Sequence, residues 1–282
     1  MGENHSDVLC SICNSNNVTK KFNREGIDYY LCNSCGFLFS NPSVNANSQD
    51  NIEDYEDYYI KYFDTNIADT KNFESILKWI SQKIDFTGKV MLDIGSGSGK
   101  LVNYLRGKGV HIKGIEYSKP LFEKYLKDKD YFFNCSIDTF SEMDQGPYDI
   151  VTLMDVLEHV EYPGKFIENI SKIQTAGGFL IIEIPLYKSL PSRLFGRYWH
   201  FFHKYHLSYF TKKRLTKLLD DNGYDLVQCK LRGKYVHISY LLKYFANAFL
   251  KMNNLNLPAF MEKLCIYVNP LDIYVACFKK RA

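Results

Sequence analysis

Three groups of residues in this 282-residue chain have the types and spacing to do chemistry. The first is a glycine loop with two carboxylates. Asp93, Gly95, Gly97 and Gly99 follow an apolar run and precede a helical pattern, and Glu116 closes the next apolar run. Glycine lets a backbone turn sharply and approach a ligand closely. A dinucleotide fingerprint would want its third glycine where Lys100 stands, and Asp93 would sit badly beside a pyrophosphate. A carboxylate there suits a ligand that carries an ammonium or a sulfonium. Glu116 is placed to accept hydrogen bonds from two ribose hydroxyls. Together these residues describe a pocket for a nucleoside with a cationic tail.

The second group is Cys10 and Cys13 followed by Cys32 and Cys35, in the spacing C-x2-C-x18-C-x2-C. Each pair can curl into a knuckle that offers two thiolates to one tetrahedral zinc. Gly36 fits the turn after the second pair, and Asp28 to Leu31 reads as a short strand leading into it. Four thiolates leave no open position, so the expected zinc is structural. Cys135, Cys229, Cys265 and Cys277 are scattered among apolar residues as reduced, buried thiols, which places the chain in the cytoplasm.

The third group is histidine. His200, His203 and His206 cluster in an aromatic segment from Trp199 to Phe210. Imidazole titrates in the range a general base needs. His206 is the first candidate, with His203 beside it. His159, next to Glu158, either braces its own loop or touches substrate, and Tyr205 and Tyr209 either contact substrate or pack.

Apolar runs at Val90–Ile94, His111–Ile115, Tyr131–Phe133, Tyr148–Leu153 and Phe179–Ile184 read as buried strands. Helical patterns near Lys100–Arg106, Leu121–Lys127 and Phe166–Ile173 lie between most of them. Such alternation implies a parallel sheet covered by helices on both faces. Phe73, Ile76, Leu77 and Ile80 repeat at helical spacing, and Thr211 to Asn222 reads as a helix with Thr211 as cap and Gly223 as stop. Tyr224–Cys229 and Ile273–Phe278 resemble two late strands. Val236 to Leu250 is an aromatic-rich amphipathic stretch that by default packs on its own domain. The organisation expected is a zinc ribbon (1–40), a linker and helical cover (41–86), a nucleoside-binding core (87–185) and a substrate segment with the last strands (186–282).

A formal net charge of +3 is too small to argue for nucleic acid or an anionic membrane. The polar N-terminus has no apolar h-region, and no stretch reaches the roughly 20 apolar residues of a membrane span.

The segment from Val90 to Ser118 resembles the first two motifs of class I S-adenosylmethionine-dependent methyltransferases, and Tyr148 to Pro185 resembles their later ones. The resemblance implies an α/β, Rossmann-like, seven-stranded and mostly parallel sheet whose last strand is antiparallel. It implies that Asp93 with Gly95, Gly97 and Gly99 holds the methionine portion, Glu116 the ribose, and Ser136 and Ile137 the adenine. Asp155 would line the pocket near the sulfonium. The layout is also similar to a group of bacterial methyltransferases with a four-cysteine ribbon, including C-methyltransferases of nucleotide-linked sugars. His206, Leu207, Ser208 and Tyr209 match that group's pattern, whereas Tyr205 stands where it has Glu and His203 where it has Tyr. The chain is also shorter than those enzymes. These departures favour O-methylation of a small acceptor, such as a sugar, nucleotide-sugar or glycan or natural-product intermediate. The alternative is an RNA methyltransferase whose ribbon grips nucleic acid. Against it, Lys20, Lys21 and Arg24 are interleaved with Glu25 and Asp28 and form no basic stripe.

Overall fold

The computed structural model describes residues 8–40, 67–143, 146–239, 241–242, 257–258, 261 and 264–282. The expected linker, the Tyr-rich run after it and most of the Val236–Leu250 stretch lie outside these. At the front, β1 (Val18–Arg24), β2 (Ile27–Cys32) and β3 (Leu38–Ser40) form an antiparallel meander. After α1 (Ile67–Ile80) come β4 (Val90–Ile94), α2 (Lys100–Arg106), β5 (His111–Ile115), α3 (Lys119–Tyr125), β6 (Phe132–Phe133), α4 (Ile137–Glu142) and β7 (Tyr148–Met154). A 3-10 turn (Leu157–His159), α5 (Pro163–Ile173), β8 (Gln174–Pro185), α6 (Leu190–Phe195), a second 3-10 turn (Gly196–Tyr198) and β9 (Ser208–Tyr209) follow. The chain closes with α7 (Lys212–Asp221), β10 (Tyr224–His237) and β11 (Cys265–Lys280).

Seven strands make one sheet in the order β10-β11-β8-β7-β4-β5-β6. The strands from β6 to β8 run parallel, and β11 inserts antiparallel between β8 and β10. This is the Rossmann-like sheet with an antiparallel last strand that the motifs imply. Its two faces follow from the two-residue period of a strand. Along β8, Leu180, Ile182 and Ile184 join one core with Ile167 and Ile170 of α5 and Leu215 of α7, while Ile181 faces the other. On that second side Met91, Ile150 and Val275 pack under Ile76 of α1 and Leu101 and Val102 of α2. Buried aliphatic side chains of this kind contribute about 1.5–3 kcal/mol each.

Local chemistry sets the helix starts. The Ser118 side chain accepts a hydrogen bond from the Leu121 amide and Pro120 occupies the first turn, so α3 begins before the apolar pattern does. Thr211 caps α7 through the Arg214 amide at 3.2 Å, as expected from its position.

The ribbon does not stand apart. Leu38 and Phe39 of β3 pair with Tyr209 and Ser208 of β9, which makes β9 the fourth strand of the ribbon sheet. One ribbon face buries Tyr29 and Leu38 against Trp199, Phe202 and Tyr209. The other places Tyr30, Phe37 and Phe39 in a cluster continuous with the main core through Phe210. The Arg24 guanidinium donates to the Trp199 carbonyl at 2.8 Å, and Arg214 donates to the Cys35 carbonyl at 3.3 Å. Among the described residues, no helix is long and apolar enough to cross a membrane.

Candidate active site

Parallel strands end together, and the loops beyond their carboxyl ends are where such sheets bind ligands. Here a cavity of about 770 Å³ opens at that edge, large enough for a nucleoside and a small second molecule. Asp93, at the end of β4, is 3% exposed. Its Oδ1 accepts a 2.6 Å hydrogen bond from the Thr152 hydroxyl on β7, the next strand in the sheet. Burial raises the Asp93 carboxyl to about 7, against the opposing pull of Thr152 and Ser96.

The loop after Asp93 has φ of +74° at Gly95, +53° at Gly97 and +73° at Gly99. A side chain at Gly95 would meet the Val156 Cγ2 at 2.5 Å, so the backbone there must stay bare. Gly95 and Gly97 line the cavity, whereas Gly99 lies behind its wall. An added Cβ at Gly99 would strike Leu126 at 2.6 Å and Phe132 at 2.8 Å, so that glycine serves packing beneath the loop. Glu116 directly follows β5 and accepts hydrogen bonds from the Gly97 and Ser118 amides, each at 2.8 Å. Burial raises its carboxyl, although both amides counter this. Ser136 and Ile137, at the start of α4, line the same space.

Asp155 follows β7 in the left-handed region, with φ +55°, and lines the cavity. It pairs with Lys234 at 2.5 Å. Lys234 also reaches Glu183 at 2.9 Å, and Glu183 pairs with Arg232 at 2.6 Å. Burial alone would raise the Glu183 carboxyl, but Lys234 and Arg232 outweigh it and hold it below its ordinary value. Thr152, Glu183, Arg232 and Lys234 are absent from the residues singled out in the sequence. The signal for Arg232 and Lys234 was Glu183 itself, a charge near the end of the apolar run of β8 that demands a buried partner. The partners stand beyond Cys229, because β10 continues eight residues past the end expected, from Lys230 to His237. Gly233 permits this, since a Cβ there would lie 2.2 Å from the Val268 carbonyl oxygen.

Three histidines share another part of the wall. His159, His203 and His206 all line the cavity, as do Glu158 and Tyr205. The rings of His203 and His206 are 3.9 Å apart and those of His159 and His206 are 4.7 Å apart. The Tyr205 carbonyl accepts from the His159 Nδ1 at 2.7 Å. Burial lowers His159 to about 4 and His203 to about 3, and holds His206 well below its ordinary value, so all three imidazoles are neutral at pH 7. His200 lies outside the cavity and is half-exposed, 4.0 Å from Asp272. Tyr209 is buried in the ribbon interface, where its hydroxyl donates to the His206 carbonyl at 2.9 Å.

The ribbon fixes this wall. Ser40 holds the His206 carbonyl through its hydroxyl and the Leu207 carbonyl through its amide, both at 3.0 Å. The Cys10 and Cys35 sulfurs are 3.6 Å apart, as are those of Cys13 and Cys32. All four lie within 4.8 Å of one another. A tetrahedron with bonds of about 2.3 Å has edges of about 3.8 Å, so the four thiols fit a zinc ion. Lys20 pairs with Asp28 at 2.7 Å, and Arg24 is held by backbone carbonyls. Lys20 and Arg24 are therefore engaged within the protein, whereas Lys21 is exposed.

Comparison with known proteins bears on this geometry. A family described as a methyltransferase domain matches residues 65–229. The ubiquinone biosynthesis O-methyltransferase of Paraburkholderia phytofirmans is 29% identical over 155 residues, covering 51% of this chain and 66% of that protein. The protein of the same name from Aromatoleum aromaticum is 34% identical over 110 residues, covering 36% of this chain and 46% of that one. The chain thus spans less than two thirds of the curated relatives it matches. Among solved structures, an S-adenosylmethionine-dependent methyltransferase from Archaeoglobus fulgidus superposes with a TM-score of 0.51 at 15% identity, covering 74% of this chain and 94% of that one. A Synechocystis magnesium protoporphyrin IX methyltransferase with bound S-adenosylhomocysteine gives 0.50 at 16% identity, over 78% and 86%. The order β10-β11-β8-β7-β4-β5-β6 agrees with the sheet its motifs imply, and the chain belongs to the methyltransferase domain family, with the fold of the S-adenosylmethionine-dependent methyltransferases.

Proposed function

We propose that the protein methylates a hydroxyl of a small molecule. One observation carries this reading: a single cavity joins the nucleoside half of the site, at Asp93 and Glu116, to a wall of three neutral imidazoles. Bound S-adenosylmethionine would supply an electrophilic methyl group. Asp93 and the loop at Gly95 and Gly97 would hold its methionine end, Glu116 its ribose, and Ser136 and Ile137 its adenine, with Asp155 near the sulfonium. Gly99 would keep the loop in shape from behind.

The chain's own work is then to orient the acceptor and accept its proton. The neutral form of an imidazole is the one that takes a proton, and the buried Nδ1 of His206 has no hydrogen-bond partner among the described residues. His206, His203 and His159 form the acceptor side. The match of His206 to Tyr209 with sugar-modifying methyltransferases supports a sugar, nucleotide-sugar or glycan intermediate as acceptor. The relatives' name supports a hydroxyl as the methylated group. Cys10, Cys13, Cys32 and Cys35 would hold a structural zinc.

The test is a screen of nucleotide sugars and small hydroxylated compounds for acceptor-dependent release of S-adenosylhomocysteine. Release with a hydroxylated small molecule, abolished by Glu116→Ala, is the expected result. Release driven only by RNA would overturn the reading.

A further inference from the structure

Glu158 has no role in that reading, yet its placement is unusual. It is 2% exposed, and neither carboxylate oxygen has a hydrogen-bond partner among the described residues. An unpaired buried carboxylate costs several kcal/mol unless a proton or a cation compensates it. Two imidazoles face it. A Glu158 oxygen, one nitrogen of His159 and one nitrogen of His206 all lie within 4.8 Å of one another.

The His159 ring is held in the manner of a metal ligand. The Tyr205 carbonyl can only accept, so the His159 Nδ1 carries the proton and its lone pair is at Nε2. The His206 Nδ1 is buried without a hydrogen-bond partner among the described residues. A backbone carbonyl on the far nitrogen is the usual support for an imidazole that binds a metal. The turn and the loop that carry these groups are also joined, by the Leu207 amide on the Glu158 carbonyl at 2.8 Å.

We propose that Glu158, His159 and His206 form a divalent-cation site, separate from the four-thiolate ribbon. Two imidazoles and one carboxylate suit first-row divalent ions such as manganese, iron or zinc, and leave coordination positions open. Because these residues line the cavity, an ion there would hold and polarise an oxygen of the acceptor. His159 and His206 then act as ligands, and His203 is the wall's remaining imidazole. The proposal rests on the methyltransferase reading only for the identity of that oxygen.

Manganese(II) added to the full-length, zinc-replete protein is the probe, since the soft thiolate ribbon does not select it. Electron paramagnetic resonance titration should show one bound equivalent with Kd at or below about 0.1 mM. Glu158→Gln and His206→Ala should each weaken it at least tenfold. Binding of S-adenosylhomocysteine is measured alongside as a check on the fold. The ion should also broaden the proton resonances of S-adenosylhomocysteine bound to the parent protein. No stoichiometric manganese, or equal affinity in variants that still bind S-adenosylhomocysteine, would overturn the site. If the variants lose the cofactor product as well, absence of broadening in the parent overturns it. Manganese bound without S-adenosylhomocysteine would refute the methyltransferase reading and leave the metal site standing.

Discussion

Lowering the pH should weaken cofactor binding through Asp93, and the size of the effect follows from its burial. The carboxyl sits at about 7 because burial penalises its charged form. Only that charged form can hold an ammonium group. With a pKa of about 7, roughly 9% of empty sites are ionised at pH 6 and about 76% at pH 7.5, an apparent affinity ratio of about eightfold. The ligand's own amine, with an ordinary pKa near 7.8, trims this to about sixfold. His159 and His203, at about 4 and about 3, do not titrate across that window. Folding has the opposite sign. A carboxyl raised from 3.8 to about 7 contributes stability below pH 3.8 that is lost as pH rises through about 7. The ligand-free melting temperature should therefore fall between pH 5 and 7.5 while cofactor affinity rises. Isothermal titration of S-adenosylhomocysteine at pH 6 and 7.5 tests this, with Asp93→Asn expected to bind weakly at both. An affinity flat with pH in the parent, or an unchanged slope in Asp93→Asn, would refute the reasoning.

Other perturbations have equally definite outcomes. His206→Ala should lose at least about 100-fold in turnover while S-adenosylhomocysteine binding by calorimetry stays within about twofold; full activity would remove it from the mechanism. Glu183→Gln strips Arg232 and Lys234 of a buried partner and should destabilise by about 3–5 kcal/mol in urea unfolding. A loss under about 1 kcal/mol would show that the pair is not buried in solution. Purified protein should contain about one equivalent of zinc by atomic spectroscopy, and Cys13→Ser should lower both zinc content and melting temperature. Substoichiometric metal in a fully stable protein would remove the zinc.

The sheet was legible in the sequence because its strands are short apolar runs between amphipathic helices, and Val90–Ile94, His111–Ile115 and Lys100–Arg106 appear with the bounds expected. Asp93 and Glu116 were legible because chain polarity puts them at strand ends, where the cavity opens. The far halves of β10 and β11 were not. Lys230 to His237 mixes charges with Gly233, so no apolar alternation announces a strand, and with that strand went Arg232 and Lys234. β9 is only two residues long and exists because β3 pairs with it. Local sequence cannot reveal an element whose hydrogen bonds come from residues as far as 171 positions away in the chain (Leu38 to Tyr209 is 209 − 38 = 171). The sequence placed the three histidines together only as candidates. The convergence of His159 and His206 on Glu158 depends on the turn after β7 meeting the loop before β9.

That strand pairing also bears on how the molecule is made and divided. During synthesis the ribbon emerges first, but its outer edge stays open and its aromatic face uncovered until Trp199, Phe202 and Tyr209 have been translated. Conversely, a chain begun after the ribbon would leave the buried Trp199 and Phe202 facing water beside a bare strand edge. The four-cysteine segment is therefore not a detachable tag carried ahead of an enzyme. It and the histidine loop are two halves of one folding unit, and evolution or engineering that exchanges either half must exchange the facing surface of the other.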